Sequence, residues 1–437
     1  MKKTFILLIL FLAAACENSL VPAKEIEITI EKKIDRKIRV TILPFFSETN
    51  NVPASRELYS VAEFDLKHAG YFELWPQEPL PDSALDKGKN YKSADYDFWL
   101  DYGTEMIIKG LYTMSGTELA IELFCYDMAT RSEFTSVVVN GPISETRALM
   151  HKATAKIIEK VSGGRPSITT TQIAFVQQNG KAKNIFMMDY DGHNVRQVTS
   201  NTSLNLDPNW LPNGEGIIYS SYFENYPFIY LQNFRTRSMQ IISKRPGLNS
   251  VPDVSPDGTK IALTLSFNGN PEIYVIDFSG NVIQRVTFSP AVDTSPTWAP
   301  DSNTLAFVSD RSGTPQIYVV DYRGGTPKRI TFQGNYNASP DWSPIKGSNI
   351  IVYSSLYGRN SELCIIDASS GFFRRLTTSM ESEDHPTWAP DGIHVSYTLT
   401  QNYRSDIYFM DVREEKPVRV TTDSNNSSLP DWGPSLQ

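Results

Sequence analysis

The chain has 437 residues, more than one ordinary hydrophobic core organises, so two or three domains or a repeat architecture are expected. A charged fraction of 21% and a hydrophobic fraction of 40% exclude overall disorder, and a net charge of −8 argues against a protein that coats nucleic acid. Three cysteines are too few for a disulfide scaffold, whereas 27 Pro, 25 Gly, 21 Tyr, 22 Phe and 7 Trp point to short strands joined by tight turns.

The chain opens with Met1-Lys2-Lys3 and an uncharged run from Phe5 to Ala15. A basic start, a short apolar stretch and a small-residue end are the form of an export signal, which we place at residues 1–15. The apolar run is too short to cross a bilayer of about 30 Å as a helix. Cys16 follows Ala13-Ala14-Ala15 directly, as in a bacterial lipoprotein signal, and is the candidate lipidation site. Simple cleavage near Ala15 is the alternative.

Residues 31–162 are expected to form an α/β domain. Ile38 to Leu43 is an apolar-rich strand that stops at Pro44. Leu58, Val61, Ala62, Leu66 and Ala69 have helical spacing, with Gly70 as the stop. Met106-Ile107-Ile108 and Leu119 to Tyr126 are strands. In the second, Cys125 shares a face with Leu119, Ile121 and Leu123, which makes it a core residue rather than a nucleophile. Ile143 to Val161 is a second helix, and Gly163-Gly164-Arg165-Pro166 marks the domain boundary.

Residues 163–437 follow a repeat. Its first element is Pro-x-Trp-x-Pro, seen at Pro208, Pro296, Pro340, Pro386 and Pro430, with Val254 replacing Trp in the copy at Pro252. An apolar triplet, an apolar run usually ending in Asp, and a short strand ending in Thr or Ser complete each unit. The leading prolines stand 44, 44, 44, 46 and 44 residues apart. Four strand-sized elements at that period are the pattern of propeller blades. The set that begins at Ile173 lacks its first strand, and Pro430-Asp431-Trp432 has no strands after it. Together they make a sixth blade, so the C-terminal strand is expected to close the ring and remove two open edges. The repeated Trp and Pro are expected to pack between blades and shape turns, and the Asp at 189, 277, 321, 367 and 411 to cap turns.

No catalytic constellation emerges. The five histidines form no His-x-x-x-His or Cys/His pair, and no Gly-x-Ser-x-Gly elbow is present. Cys364 lies in an apolar strand. The informative position stands three residues before each leading Pro: Asn205, Asn249, Asp293, Asn337, Glu383 and Ser427. All are polar. They are expected either to enter the strand as turn residues or to ring one channel mouth, offering acceptors and two charges to a docked partner or ion. Asp384 and His385 add polarity there. The two carboxylates with carbonyls are a candidate calcium site.

The stretch Pro296 to Phe307, continued by Gln316-Ile317-Tyr318 and Gly324 to Thr331, resembles the TolB family of periplasmic propellers of the Tol–Pal system. Pro44-Phe45, Asp65-Leu66 and Gly70-Tyr71-Phe72 resemble that family's preceding α/β domain. The resemblance implies a monomeric, non-enzymatic adaptor in the periplasm that helps the outer membrane constrict at division. It implies that the propeller binds the peptidoglycan-associated lipoprotein Pal at a channel mouth, on the loops of Asn249, Ser250, Asp293 and Thr294. Asn205, Asn337, Glu383 and Asp384 complete that candidate mouth. Leu248 stands where the family commonly has His. The resemblance further implies that residues 16–30 are a flexible partner-binding segment, in which Glu17 to Ile30, with Glu17, Asn18, Ser19, Glu25 and Ile26, would contact the inner-membrane-anchored TolA. Membrane association would then be peripheral, through partners or a lipid on Cys16. The competing expectation is a propeller glycan hydrolase or lyase with an axial active site, and a third is a lipoprotein scaffold without Tol partners.

Overall fold

The computed structural model describes residues 36–47, 52–77, 79–88, 90, 92–414, 416–423 and 425–435. The export segment, Cys16 and the candidate residues Glu17, Asn18, Ser19, Glu25 and Ile26 lie outside them.

The first unit is a five-stranded mixed sheet. Its strands are β1 (Ile38–Ile42), β2 (Phe72–Leu74), β3 (Met106–Ser115), β4 (Glu118–Asp127) and β5 (Ser132–Pro142), in the order β2-β1-β3-β4-β5. β1 runs parallel to both neighbours, while β3, β4 and β5 form an antiparallel meander. Helices α1 (Val52–His68) and α4 (Thr146–Val161) cover one face, burying Leu58, Val61, Leu66, Leu149, Ala153 and Ile157 against Val40, Ile42 and Ile108. Cys125 is in this core, where burial pushes its thiol pKa far up, so it is inert. The expected second helix starts three residues late, because Ile143–Glu145 is a 3-10 turn.

The other face is covered by α2 (Asp82–Gly88) and α3 (Tyr96–Asp101), which lay Ala84 and Trp99 on Leu43, Ile107 and Phe124. These helices have seven and six residues, too short to show a period in sequence. Lys109 of β3 is buried beneath them. Its ammonium donates to the carbonyls of Asn90 (2.8 Å) and Ser93 (2.7 Å), and burial lowers its pKa to about 8.

Six four-stranded antiparallel sheets follow as blades. Five are consecutive in sequence, from Asn205–Ser243 (blade 2) to Ser382–Arg419 (blade 6). Blade 1 takes its outer three strands from residues 172–197 and its inner strand, Asn426–Trp432, from the C-terminus. That strand pairs antiparallel with Gln172–Asn179, from Asn426 opposite Gln178 to Trp432 opposite Ile173. The ring is therefore closed as expected.

Each blade Trp packs onto the preceding blade. Trp210 lies on Val176 and Met187, Trp298 on Ile273 and Val275, and Trp342 on Ile317. Trp388 lies on Val352 and Leu363, and Trp432 on Ile407 and Phe409, so the last Trp joins blade 1 to blade 6. The turn Asp residues cap as expected: Asp277 accepts the amides of Ser279 and Asn281, and Asp367 those of Ser369 and Ser370. Gly392 holds its turn at φ +69°, and a Cβ there would stand 2.2 Å from Ile345 Cγ1.

The α/β unit sits on blades 1 and 6. His151 of α4 lies between two carboxylates, Asp65 of α1 and Asp191 of blade 1. Its Nδ1 is 2.8 Å from Asp65 Oδ1 and its Nε2 is 3.4 Å from Asp191 Oδ2. Tyr190 of blade 1 donates to Asp65 (2.5 Å), and Arg147 pairs with Asp191. Burial alone would lower the His151 pKa, but the two carboxylates outweigh it and raise the value to about 10. Nearby, Phe64 and His68 of α1 meet Tyr190 and Phe409 edge-on or tilted.

Candidate functional site

The inner wall of the propeller is made by the first strand of every blade. Pro cannot donate a ladder hydrogen bond, and each first strand carries its Pro at a bulge. In blade 3, Ser250 pairs with Thr264 but Asp253 with Ala262, so Val251 and Pro252 face a single residue. The same shift occurs in the other five blades. The residue before Pro is left-handed in all six: Asp207, Val251, Ser295, Ser339, His385 and Leu429 have φ between 47° and 52°. None is glycine, so this ring stores backbone strain, most of all at the β-branched Val251.

These six residues, with the prolines and the residues that follow them, line an axial cavity of about 160 Å³. Its floor is a belt of Asn209, Asp253, Thr297, Asp341, Thr387 and Asp431. Each belt side chain accepts the amide of the next blade. Asn209 accepts from Val254 (2.9 Å), Asp253 from Trp298 (2.7 Å) and Thr297 from Trp342 (3.3 Å). Asp341 accepts from Trp388 (2.6 Å), Thr387 from Trp432 (3.5 Å) and Asp431 from Trp210 (2.6 Å). The last bond spans the closure. Below the belt, a funnel of about 240 Å³ is walled by the blade Trp side chains and a ring of prolines.

Three belt members are carboxylates in poor contact with water. Burial and then Asp341 raise Asp253 to about 7, burial raises Asp341 to about 6, and burial raises Asp431 as well. The folded ring thus binds these protons more tightly than the unfolded chain, and this contribution to stability is lost as pH rises from about 4 through about 7. Asn at position 341 keeps the acceptor without the charge, as Asn209 already does three blades away in the same belt. Asp341→Asn is expected to raise stability at pH 8 by about 1–2 kcal/mol and to have no such effect at pH 4. Melting curves at the two pH values check this, and equal shifts at both would refute it.

The polar positions singled out in sequence lie elsewhere. Asn205, Asn249, Asp293, Asn337 and Ser427 are 0% exposed and Glu383 2%. Each is turned into its blade, and Asn205, Asn249, Asn337 and Glu383 tie the start of the first strand to the strand or loop before it. Asn205 donates to Lys183 O (2.9 Å), and Asn249 accepts from Ser243 (2.7 Å) and donates to Arg245 O (2.7 Å). Asn337 donates to Gln316 (2.8 Å), Glu383 accepts from Thr377 (3.3 Å), and Asp293 pairs with Arg311 (2.7 Å). Burial raises Asp293 and Glu383 even so. Their burial sets these side chains back from the surface, in the strand-entry role of the two expected, while Asp293 Oδ1, Asn337 Oδ1 and Ser427 Oγ have no hydrogen-bond partner among the described residues. Ser250, Thr294 and Asp384, one residue on, are half-buried. Among the described residues, no group of three His, Cys, Asp or Glu is arranged to hold a metal ion.

What the mouth does present is apolar. The blade-to-blade loops and the hairpins joining second to third strands lie at the end away from the α/β unit. They expose Phe288 (71%), Phe332 (69%), Met380 (91%) and Tyr403 (98%), with Phe223, Tyr226, Val292 and Tyr336 less so. Two of these aromatics carry an arginine: Arg285 stands 4.4 Å from the ring of Phe288 and Arg329 5.0 Å from that of Phe332. Sequence reading missed this rim. The available signal was Phe directly after the closing Thr at 287 and 331, where a turn favours polar residues.

Comparison with known proteins gives one consistent answer. The family model of the TolB beta propeller domain matches residues 158–436, and that of the TolB amino-terminal domain matches residues 26–134. The Tol-Pal system protein TolB of Geobacter metallireducens is 36% identical over 165 residues, 37% of this chain and 37% of that protein. Its counterpart in Desulfosudis oleivorans is 29% identical over 198 residues, 45% of each chain. The chain thus spans about a third to a half of the length of these curated relatives. The crystal structure of TolB from Acinetobacter baumannii matches over 92% of this chain and 97% of that one, with a TM-score of 0.80 and 28% identity.

Proposed function

The chain belongs to the TolB family, and from that membership we propose that it is a non-catalytic adaptor of the Tol–Pal system in the periplasm. The mouth away from the α/β unit docks a Pal-like lipoprotein, and the segment before β1 engages a TolA-like partner. The observation that carries this reading is the rim of exposed aromatic side chains around that mouth. A protein surface seldom keeps such a patch without a partner, and Phe, Tyr, Met and Arg are the residue types that anchor interfaces. Ser250, Thr294 and Asp384 remain proposed contacts at its inner border, and Asn205, Asn249, Asp293, Asn337 and Glu383 act by holding the loops. Glu17, Asn18, Ser19, Glu25 and Ile26 remain the proposed TolA-side contacts, and a lipid on Cys16 would tether that segment to a membrane.

The test is calorimetric titration of the monomeric protein with a Pal-like domain. Phe288→Ala/Phe332→Ala is expected to weaken binding at least tenfold and to leave the melting temperature unchanged, because both rings are exposed. Wild-type affinity in that variant would remove the rim from the interface. Asp293→Lys is a poor probe, since it puts a lysine into an enclosed site against Arg311.

A further inference from the structure

The sixfold repeat supplies an internal control on one rim residue. Four successive blades carry Arg two residues before the Thr that ends the fourth strand: Arg285, Arg329, Arg375 and Arg419. In three of them a carboxylate at the start of the third strand neutralises the guanidinium. Arg285 pairs with Glu272 (3.3 Å), Arg419 with Asp406 (2.9 Å), and Arg375 with Glu362. In blade 4 the same position is Gln316.

Gln316 keeps the structural half of the role. Its Oε1 accepts from Thr331 (2.8 Å) and Asn337 (2.8 Å), as Glu272 accepts from Thr287 and Asp406 from Thr421. It carries no charge for Arg329. Arg329 donates Nε to Thr331 O (2.6 Å) and stands beside the exposed ring of Phe332. The rest of the guanidinium therefore keeps its charge at the surface, beside the exposed ring of Phe332. A planar fork beside an aromatic face is suited to bidentate recognition of a carboxylate.

We propose that Arg329, freed by the Glu-to-Gln difference at position 316, is a specificity-determining residue of the docking mouth and binds an Asp or Glu side chain of the partner protein. This rests on the adaptor reading above. Exchanging Gln316 for Glu restores the internal partner that blades 3, 5 and 6 already have, so Gln316→Glu silences Arg329 without touching the surface. Arg329→Met removes the charge directly and keeps most of the stem.

The experiment is titration of wild type, Gln316→Glu and Arg329→Met with a Pal-like domain at about 50 mM and 300 mM salt. Both variants are expected to bind at least tenfold more weakly at low salt and to lose most of the salt dependence seen in wild type. A common melting temperature shows that the variants fold. Wild-type binding with unchanged affinity and salt dependence in both variants overturns this inference and spares the adaptor reading. A wild-type protein that does not bind the domain overturns the adaptor reading, and this inference with it.

Discussion

A chain ending at residue 425 is expected to lose the cooperative unfolding transition of the propeller, and Trp432→Ala to lower stability by about 3–5 kcal/mol. The inner strand of blade 1 is supplied by Asn426–Trp432, so removing it exposes the edge of the Gln172–Asn179 strand and the flank of blade 6 together. It also removes the belt acceptor Asp431, leaving the Trp210 amide without its partner, and takes away the indole that donates to Thr171 (2.8 Å). Closing a loop of roughly 260 residues costs on the order of 5 kcal/mol in chain entropy, and these contacts are what offset it. For a ring of this size, about 4 kcal/mol corresponds to a fall of roughly 10 °C in melting temperature. Calorimetry of the truncated and Trp432→Ala chains measures both effects. An unchanged transition in the truncated chain would mean that the ring is held without its closing strand.

That closure was readable because two incomplete repeat units stood at opposite ends of one periodic stretch. Blade number, strand order and the inter-blade role of Trp follow from the same period. The mouth was harder, and the bulge is the reason. Side chains alternate faces along a strand, so Asn249 and Val251 should share a face two residues apart. The extra residue before Asp253 breaks that alternation. Polarity and period identified Asn205, Asn249 and Asp293 as special, but could not show that they point into the blade while Asp207, Val251 and Ser295 point into the channel. In the first unit the long strands and helices were legible. β2, α2 and α3 were not, since elements of three to seven residues show no period, and tertiary contacts through Trp99 and Lys109 hold the last two in place.

His151→Gln is expected to cost about 3–5 kcal/mol at pH 7, because it leaves Asp65 and Asp191 buried without their shared cation. Asp65 keeps Tyr190 and Thr154 as donors and Asp191 keeps Arg147, so the loss concerns charge rather than hydrogen bonding alone. The pH dependence distinguishes the two. The folded-state pKa of His151 is raised from 6.5 to about 10, so its contribution is complete below about 6.5 and is lost as pH rises through about 10. The difference in stability between wild type and His151→Gln should therefore be largest near pH 6 and shrink towards pH 10. Comparing the two proteins cancels the tyrosines and lysines that titrate in the same range. A difference that stays constant from pH 6 to pH 10 would show that His151 acts as a neutral spacer. The neutral double variant His151→Gln/Asp191→Asn completes the test. If the imidazolium is the fastener between the α/β unit and blade 1, removing both charges should cost less than removing the cation alone.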